Sequence, residues 1–144
     1  MLVLGLTDYQ PQGEALARLL GIDFARVEVH RFPDGESKVC LPSKLPEEVC
    51  LCRSLDHPND KLIELLLCAK TAREQGVKRL TLVAPYLCYM RQDIAFHPGE
   101  AVSQLIIGPF LAELFDKVVT VDPHLHRINH LSPALPGIEA ISLQ

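Results

Sequence analysis

The chain contains no CxxC pair, and its five cysteines are an odd number that closes no disulfide framework. Disulfide staples serve small domains that lack a core, and a compact chain of this size buries roughly 68–70% of its unfolded surface without them. Neither a GxGxxG nor a Walker-type P-loop is present, so no common glycine-rich cradle accounts for phosphate binding. The opening MLVLGLTDYQ is too short to cross a bilayer, lacks a basic segment and meets an acid at Asp8, so it reads as a strand rather than a leader. Charge of neither sign dominates. A net charge of −4, with acids and bases interspersed, leaves no basic surface for nucleic acid or an anionic membrane.

What is present is an ordinary globular composition, 48% apolar and 22% charged, over 144 residues that fit one domain. Cys50 and Cys52 alternate in a CLC run, as two residues on one face of a strand do, and Cys68 falls in a leucine-rich helical run. Free cysteine behaves as a small hydrophobe, so the expectation is buried, reduced thiols in a cytoplasmic protein.

Strand and helix patterns alternate, with no repeat and no internal linker. Leu2–Leu6 is a short apolar run. Gly13–Leu20 sets Ala15, Leu16, Leu19 and Leu20 on one helical face, and Gly21 stops it. Val27–Arg31 and Lys38–Leu41 flank Pro33-Asp34-Gly35 and predict a hairpin. Val49–Cys52 is another strand, and Asn59 and Asp60 can cap the helix through LIELLLCAKTAREQ. Leu80–Ala84 reads as a buried strand covered on both faces. Ala101–Phe115 is apolar but interrupted by Gly108-Pro109, which predicts a kink or break, because an interior proline costs about 3 kcal/mol. Val118–Val121 and Gly137–Leu143 complete the pattern. The fold expected is α/β: a mainly parallel sheet flanked by helices, with a β-hairpin added near residues 26–41.

Ligands of open α/β sheets bind beyond the carboxyl ends of the strands. Two such ends are polar here, PYLCYMRQDIAFHPGE after LTLVA and DPHLHRINH after KVVTV, and the RFPDGE hairpin is a third candidate. Each alone has a bland reading: a turn, a solvated loop, a set of solvated histidines. His124, His126 and His130 could be a metal site, but isolated loop histidines are more often solvated. Together and in order, however, RFPDGE, RSLDHPNDKLIELL, APYLCYMRQD, FHPGEAVS and TVDPHLHRI resemble the ribose-phosphate pyrophosphokinase family, in its N-terminal, ATP-binding half. The resemblance runs from about Leu16 to Ile128. FHPGEAVS and VDPHLH look most like the archaeal-type branch.

The resemblance implies a phosphoribosyltransferase-like fold and transfer of diphosphate from Mg-ATP to C1 of ribose 5-phosphate. Phe32 would stack on adenine, with Asp34 and Glu36 accepting from its amino group, on a hairpin that reaches in from a neighbouring subunit of a homo-oligomer. Arg91 would bind ATP phosphates through its guanidinium fork, with Gln92 beside it. His124 would stand by the Mg2+–phosphate cluster, as the catalytic residue and one metal ligand. Asp93 and Asp122 have two open readings, orienting these groups or capping loop amides. His126 remains open, His130 reads as solvated, and Tyr86 and Tyr89 as loop packing. Ile94-Ala95-Phe96 replaces the basic residues that follow Arg-Gln-Asp in many members, so phosphate activation is not expected. The chain reaches Gln144 before any acidic, Gly/Thr-rich loop for ribose 5-phosphate. The leading reading is thus a diphosphokinase half-enzyme. The alternative is a noncatalytic homologue that assembles with full-length synthetase and regulates it.

Overall fold

The computed structural model describes residues 1–144 and forms one seven-stranded sheet. Its strands are β1 (Leu2–Leu6), β2 (Asp23–Arg31), β3 (Ser37–Cys40), β4 (Glu48–Cys52), β5 (Arg79–Val83), β6 (Lys117–Val121) and β7 (Glu139–Leu143). Across the sheet their order is β3-β2-β1-β4-β5-β6-β7, parallel throughout except for the antiparallel β2–β3 pair. The helices are α1 (Gln10–Leu20), α2 (Pro58–Glu74) and α3 (Gln104–Leu114). The expected α/β architecture and the added hairpin are both present.

Alternation along the strands assigns the two faces. Leu4, Leu6, Leu51, Leu80, Leu82 and Val118 point toward Leu65, Cys68 and Ala69 of α2 and Leu111 and Leu114 of α3. Val3, Cys50 and Cys52 point the other way, toward Ala17 of α1. Burying each leucine contributes about 1.5–3 kcal/mol, so the first face carries most of the core.

Four local expectations are corrected. In α1 the buried positions are Gly13 and Ala17, with Leu16 half-buried, whereas Leu19 and Leu20 are exposed. The helix seats by its small residues, because Phe24 of β2 lies directly against Gly13. Asn59 and Asp60 do not cap α2; that place falls to His57, and Pro58 occupies the first turn, where its missing N–H has no helical partner to lose. α3 runs unbroken through Pro109. The ring sits at mid-helix on the exposed side, where water can serve the carbonyl of exposed Leu105, and Gly108 faces inward. A Cβ on Gly108 would come within 1.8 Å of the Ala134 carbonyl oxygen, so the close approach of residues 132–134 requires glycine there. Finally, β5 is fully covered on one face and partly on the other: Leu80 and Leu82 are buried, while Thr81 and Val83 are half-buried, Val83 packing against the small cluster that includes Ala17.

Candidate functional site

The segments that follow β4 and β5, with Ser103 before α3, enclose a cavity of about 680 Å3, and the loop after β6 lies at the same end of the sheet. Its wall includes His57, Asn59, Tyr86, Tyr89, Arg91 and Gln92. That volume is within the range of about 300–1,000 Å3 that small ligands occupy. The three loops that follow these strands each hold one non-glycine residue in the left-handed region: His57 at φ 49°, Tyr89 at φ 59° and Asp122 at φ 42°. Such residues cost of order 1–3 kcal/mol each and cluster at functional sites. Their grouping at one end of the sheet marks this end independently of any motif.

Arg91 is exposed on the wall and, like Arg18 and Arg79, has no carboxylate partner, whereas Arg26, Arg31, Arg53, Arg73 and Arg127 each pair with one. Gln92 lies beside it. Its backbone carbonyl accepts from the Gln104 amide at 3.1 Å, while the buried Gln104 side chain donates to the Met90 carbonyl at 3.0 Å. The start of α3 therefore holds the Arg91–Gln92 backbone from below. Farther along this loop, His97 bonds the Glu100 carboxylate at 2.7 Å, and the Phe96 amide donates to it at 2.9 Å. Those two contacts, the histidine first, hold the Glu100 carboxyl below its usual range.

His124 is exposed and does not line this cavity; its ring stands edge-on to that of Tyr86, which does, at 6.1 Å between centroids. Tyr89 also lines the wall, and its hydroxyl donates to Asn59 Oδ1. His57, Asn59, Tyr86 and Tyr89 were not singled out for this wall by sequence, and the only signal available was their place just after strands. Asp93 is neither capping an amide nor facing the cavity; it pairs with Arg127. Asp122 is exposed, and its amide donates to the Leu143 carbonyl at 2.8 Å, joining β6 to β7. No three His, Cys, Asp or Glu side chains converge as metal ligands, so His124, His126 and His130 do not form a zinc-type site.

Phe32, Asp34 and Glu36 are elsewhere. They form the tip of the β2–β3 hairpin, all exposed, and none lines this cavity. The tip is a three-residue loop: the Phe32 amide donates to the Glu36 carbonyl at 2.8 Å and Gly35 takes φ 94°. Asp34 Oδ1 accepts from the Glu36 amide at 3.1 Å, and the Phe32 ring rests edge-on to His30 at 4.8 Å. The hairpin's base is tied to α2. Arg31 donates to Asp60 at 2.7 Å and to Glu64 at 3.3 Å, and Ser37 Oγ donates to Glu64 at 2.7 Å. The adenine-side and phosphate-side candidates are therefore separate on one chain: β2 and β5 lie three strand spacings apart, roughly 14 Å.

Fold and site define a class, an α/β domain with an arginine-bearing polar cavity at the carboxyl edge of a parallel sheet. Comparison with known proteins takes this one step further. The family model described as the N-terminal domain of ribose phosphate pyrophosphokinase matches residues 1–114, and the chain belongs to this family. It is 43% identical over 127 residues to the ribose-phosphate pyrophosphokinase of Saccharolobus solfataricus, covering 86% of this chain and 44% of that protein. With the enzyme of Methanopyrus kandleri it shares 36% identity over 125 residues, covering 86% and 43%. Both relatives are archaeal, in keeping with the branch expected from the motifs. The fold matches the crystal structure of phosphoribosylpyrophosphate synthetase from Mycobacterium smegmatis with a TM-score of 0.83 at 21% identity, over 98% of this chain and 48% of that one. The chain thus spans less than half the length of the relatives it matches.

Proposed function

We propose that this chain is the ATP-binding half of a ribose-phosphate diphosphokinase. The observation that carries the reading is Arg91, an uncommitted guanidinium beside Gln92 on a cavity walled by two tyrosines. A guanidinium fork suits bidentate phosphate recognition, and a site that must take up an anion cannot have its cation already paired.

In the proposed reaction the C1 hydroxyl oxygen of ribose 5-phosphate attacks the β-phosphorus of ATP, the bond from that phosphorus to the α,β-bridging oxygen breaks, AMP leaves and the hydroxyl proton is lost. The chain's own residues have limited tasks. Arg91 and Gln92 hold the phosphates, and His124, placed across Tyr86, opposes negative charge as the β-phosphoryl group distorts. Mg2+ fits as the nucleotide's ion, since it keeps waters and phosphate oxygens and His124 offers one ligand where no carboxylate cluster stands. When bound it neutralises phosphate charge. Ribose 5-phosphate would be held by parts of the protein beyond this stretch.

Phe32, Asp34 and Glu36 are assigned to adenine in a neighbouring copy's site. Their exposure at a hairpin tip, strands away from Arg91, supports service in trans and hence a homo-oligomer. The test is titration of the 144-residue chain with Mg-ATP. Saturable binding that Arg91→Ala weakens is expected, and binding indifferent to Arg91→Ala would overturn the assignment.

A further inference from the structure

The loop that carries Arg91 and Gln92 and the loop that carries His124 are locked to each other by one ion pair that none of the motifs announces. Arg127, three residues after His124, directs its guanidinium at Asp93, the residue following Gln92. The Asp93 side chain is 4% exposed, so this carboxylate is nearly dry. Its second oxygen, Oδ2, has no hydrogen-bond partner, which leaves Arg127 as the only charge compensating it. The same guanidinium lies over the Phe96 ring, 5.6 Å from its centroid. Arg127 therefore grips this loop at two points, one on each side of Ile94-Ala95.

We propose that Arg127 is a positioning residue for the nucleotide site. By neutralising buried Asp93 and covering Phe96 it fixes the path of residues 91–96, and so the direction in which Arg91 and Gln92 face the cavity. The start of α3 holds Met90 and Gln92 through Gln104, and Arg127 holds the next residue from the opposite loop. Without Arg127 an ionised Asp93 cannot stay where it is. A buried carboxylate that loses its partner moves to water, and Gln92 and Arg91 move with it. The clamp also couples the two loops. Any displacement of the phosphate-binding loop pulls on a side chain three residues from His124. The ring of Phe96 gives arginine an advantage over lysine here, because a planar guanidinium both pairs with the carboxylate and stacks on an aromatic face.

The inference rests on the nucleotide reading for its purpose, but the clamp is measurable without nucleotide. Amide hydrogen exchange of the ligand-free chain should show residues 91–100 exchanging faster in Arg127→Ala, with the strands unchanged. Arg127→Lys should recover part of the protection. In an Asp93→Asn background, which removes the buried charge, Arg127→Ala should add little further effect. With Mg-ATP, Arg127→Ala should weaken binding by about tenfold to a hundredfold, the scale of a small misplacement of binding groups, although Arg127 itself does not line the cavity. Unchanged exchange in Arg127→Ala, or effects of the two substitutions that simply add, would overturn the clamp. Faster exchange with undiminished nucleotide binding would overturn its positioning role. Absence of nucleotide binding by the unaltered chain would instead sink the functional reading, with exchange still deciding the clamp.

Discussion

Glu64 Oε2 lies 2.6 Å from Arg53 Nη1, and neither side chain is more than 5% exposed. The pair joins α2 to the end of β4, and Glu64 also receives Arg31 and Ser37 from the two strands of the hairpin. A buried carboxylate thus sets the angle at which the hairpin leaves the domain. Breaking such a pair costs about 3–5 kcal/mol, because the remaining charge stays buried and uncompensated. Glu64→Ala should lower unfolding stability by that amount in a denaturant titration. Hydrogen exchange should quicken first in β2 and β3. A loss below about 1 kcal/mol, the surface-pair range, would show that Arg53 finds water without cost.

Asp116 precedes β6 and joins three elements: it accepts from the Leu80 amide at 2.7 Å and from Arg73 at 2.8 Å. Partial burial pushes its carboxyl up, but the Leu80 amide and the Arg73 guanidinium outweigh this and hold it below its ordinary value. A carboxyl depressed in the folded state stabilises above its unfolded pKa of about 3.9, and that stability is lost as pH falls through the folded value. Asp116→Asn should therefore be less stable at neutral pH. The side chain is 48% exposed, so solvent screening limits the electrostatic part to under about 1 kcal/mol. The gap should narrow from about pH 4 downward. A pH-independent gap would mean that hydrogen bonding, and not charge, is what the substitution removes.

Burial pushes the thiols of Cys50, Cys68 and Cys88 up to about 12 and that of Cys52 to about 11, while Cys40 is exposed. Only a thiolate attacks a disulfide reagent, so access and ionisation select the same residue. Native protein should release one equivalent of thiol rapidly, abolished by Cys40→Ser, and the other four only on unfolding. Rapid reaction of more than one thiol would show that the face bearing Cys50 and Cys52 opens in solution.

Arg91 and His124 should separate kinetically in an enzyme of the relatives' full length. Arg91→Ala should raise the KM for ATP, whereas His124→Ala should lower kcat more than it weakens ATP binding, the pattern of an interaction made in the transition state. The 144-residue chain alone should release no AMP from ATP and ribose 5-phosphate. Orientation of the acceptor can be worth about 7–11 kcal/mol of barrier, and in the proposed reading the residues here serve the donor only. Near wild-type turnover of His124→Ala, or sugar-dependent AMP release by the short chain, would each refute the corresponding assignment.

Much of this protein was legible in the linear chain because the relevant physics is local. Runs such as Leu2–Leu6 and Val49–Cys52 have the apolar pattern of strands, Pro33-Asp34-Gly35 has the backbone preferences of a tight turn, and both formed as read. The polar stretches that hold Arg91, Gln92 and His124 stood out because they follow apolar strands at a sheet's carboxyl edge, but these particular residues were singled out only by the family resemblance. Tertiary structure decided what depends on a neighbour. Leu19 and Leu20 looked like the seat of α1, but Phe24 left room only for Gly13 and Ala17. Pro109 looked like a break, but it sits where a missing hydrogen bond faces water. Glu64 in a leucine run and Arg127 within a histidine motif gave no sign of their partners, because Arg53 and Asp93 are 11 and 34 residues away in the chain. A residue's propensity is carried by its own atoms. The free energy of a buried charge is set by whatever group the fold brings against it.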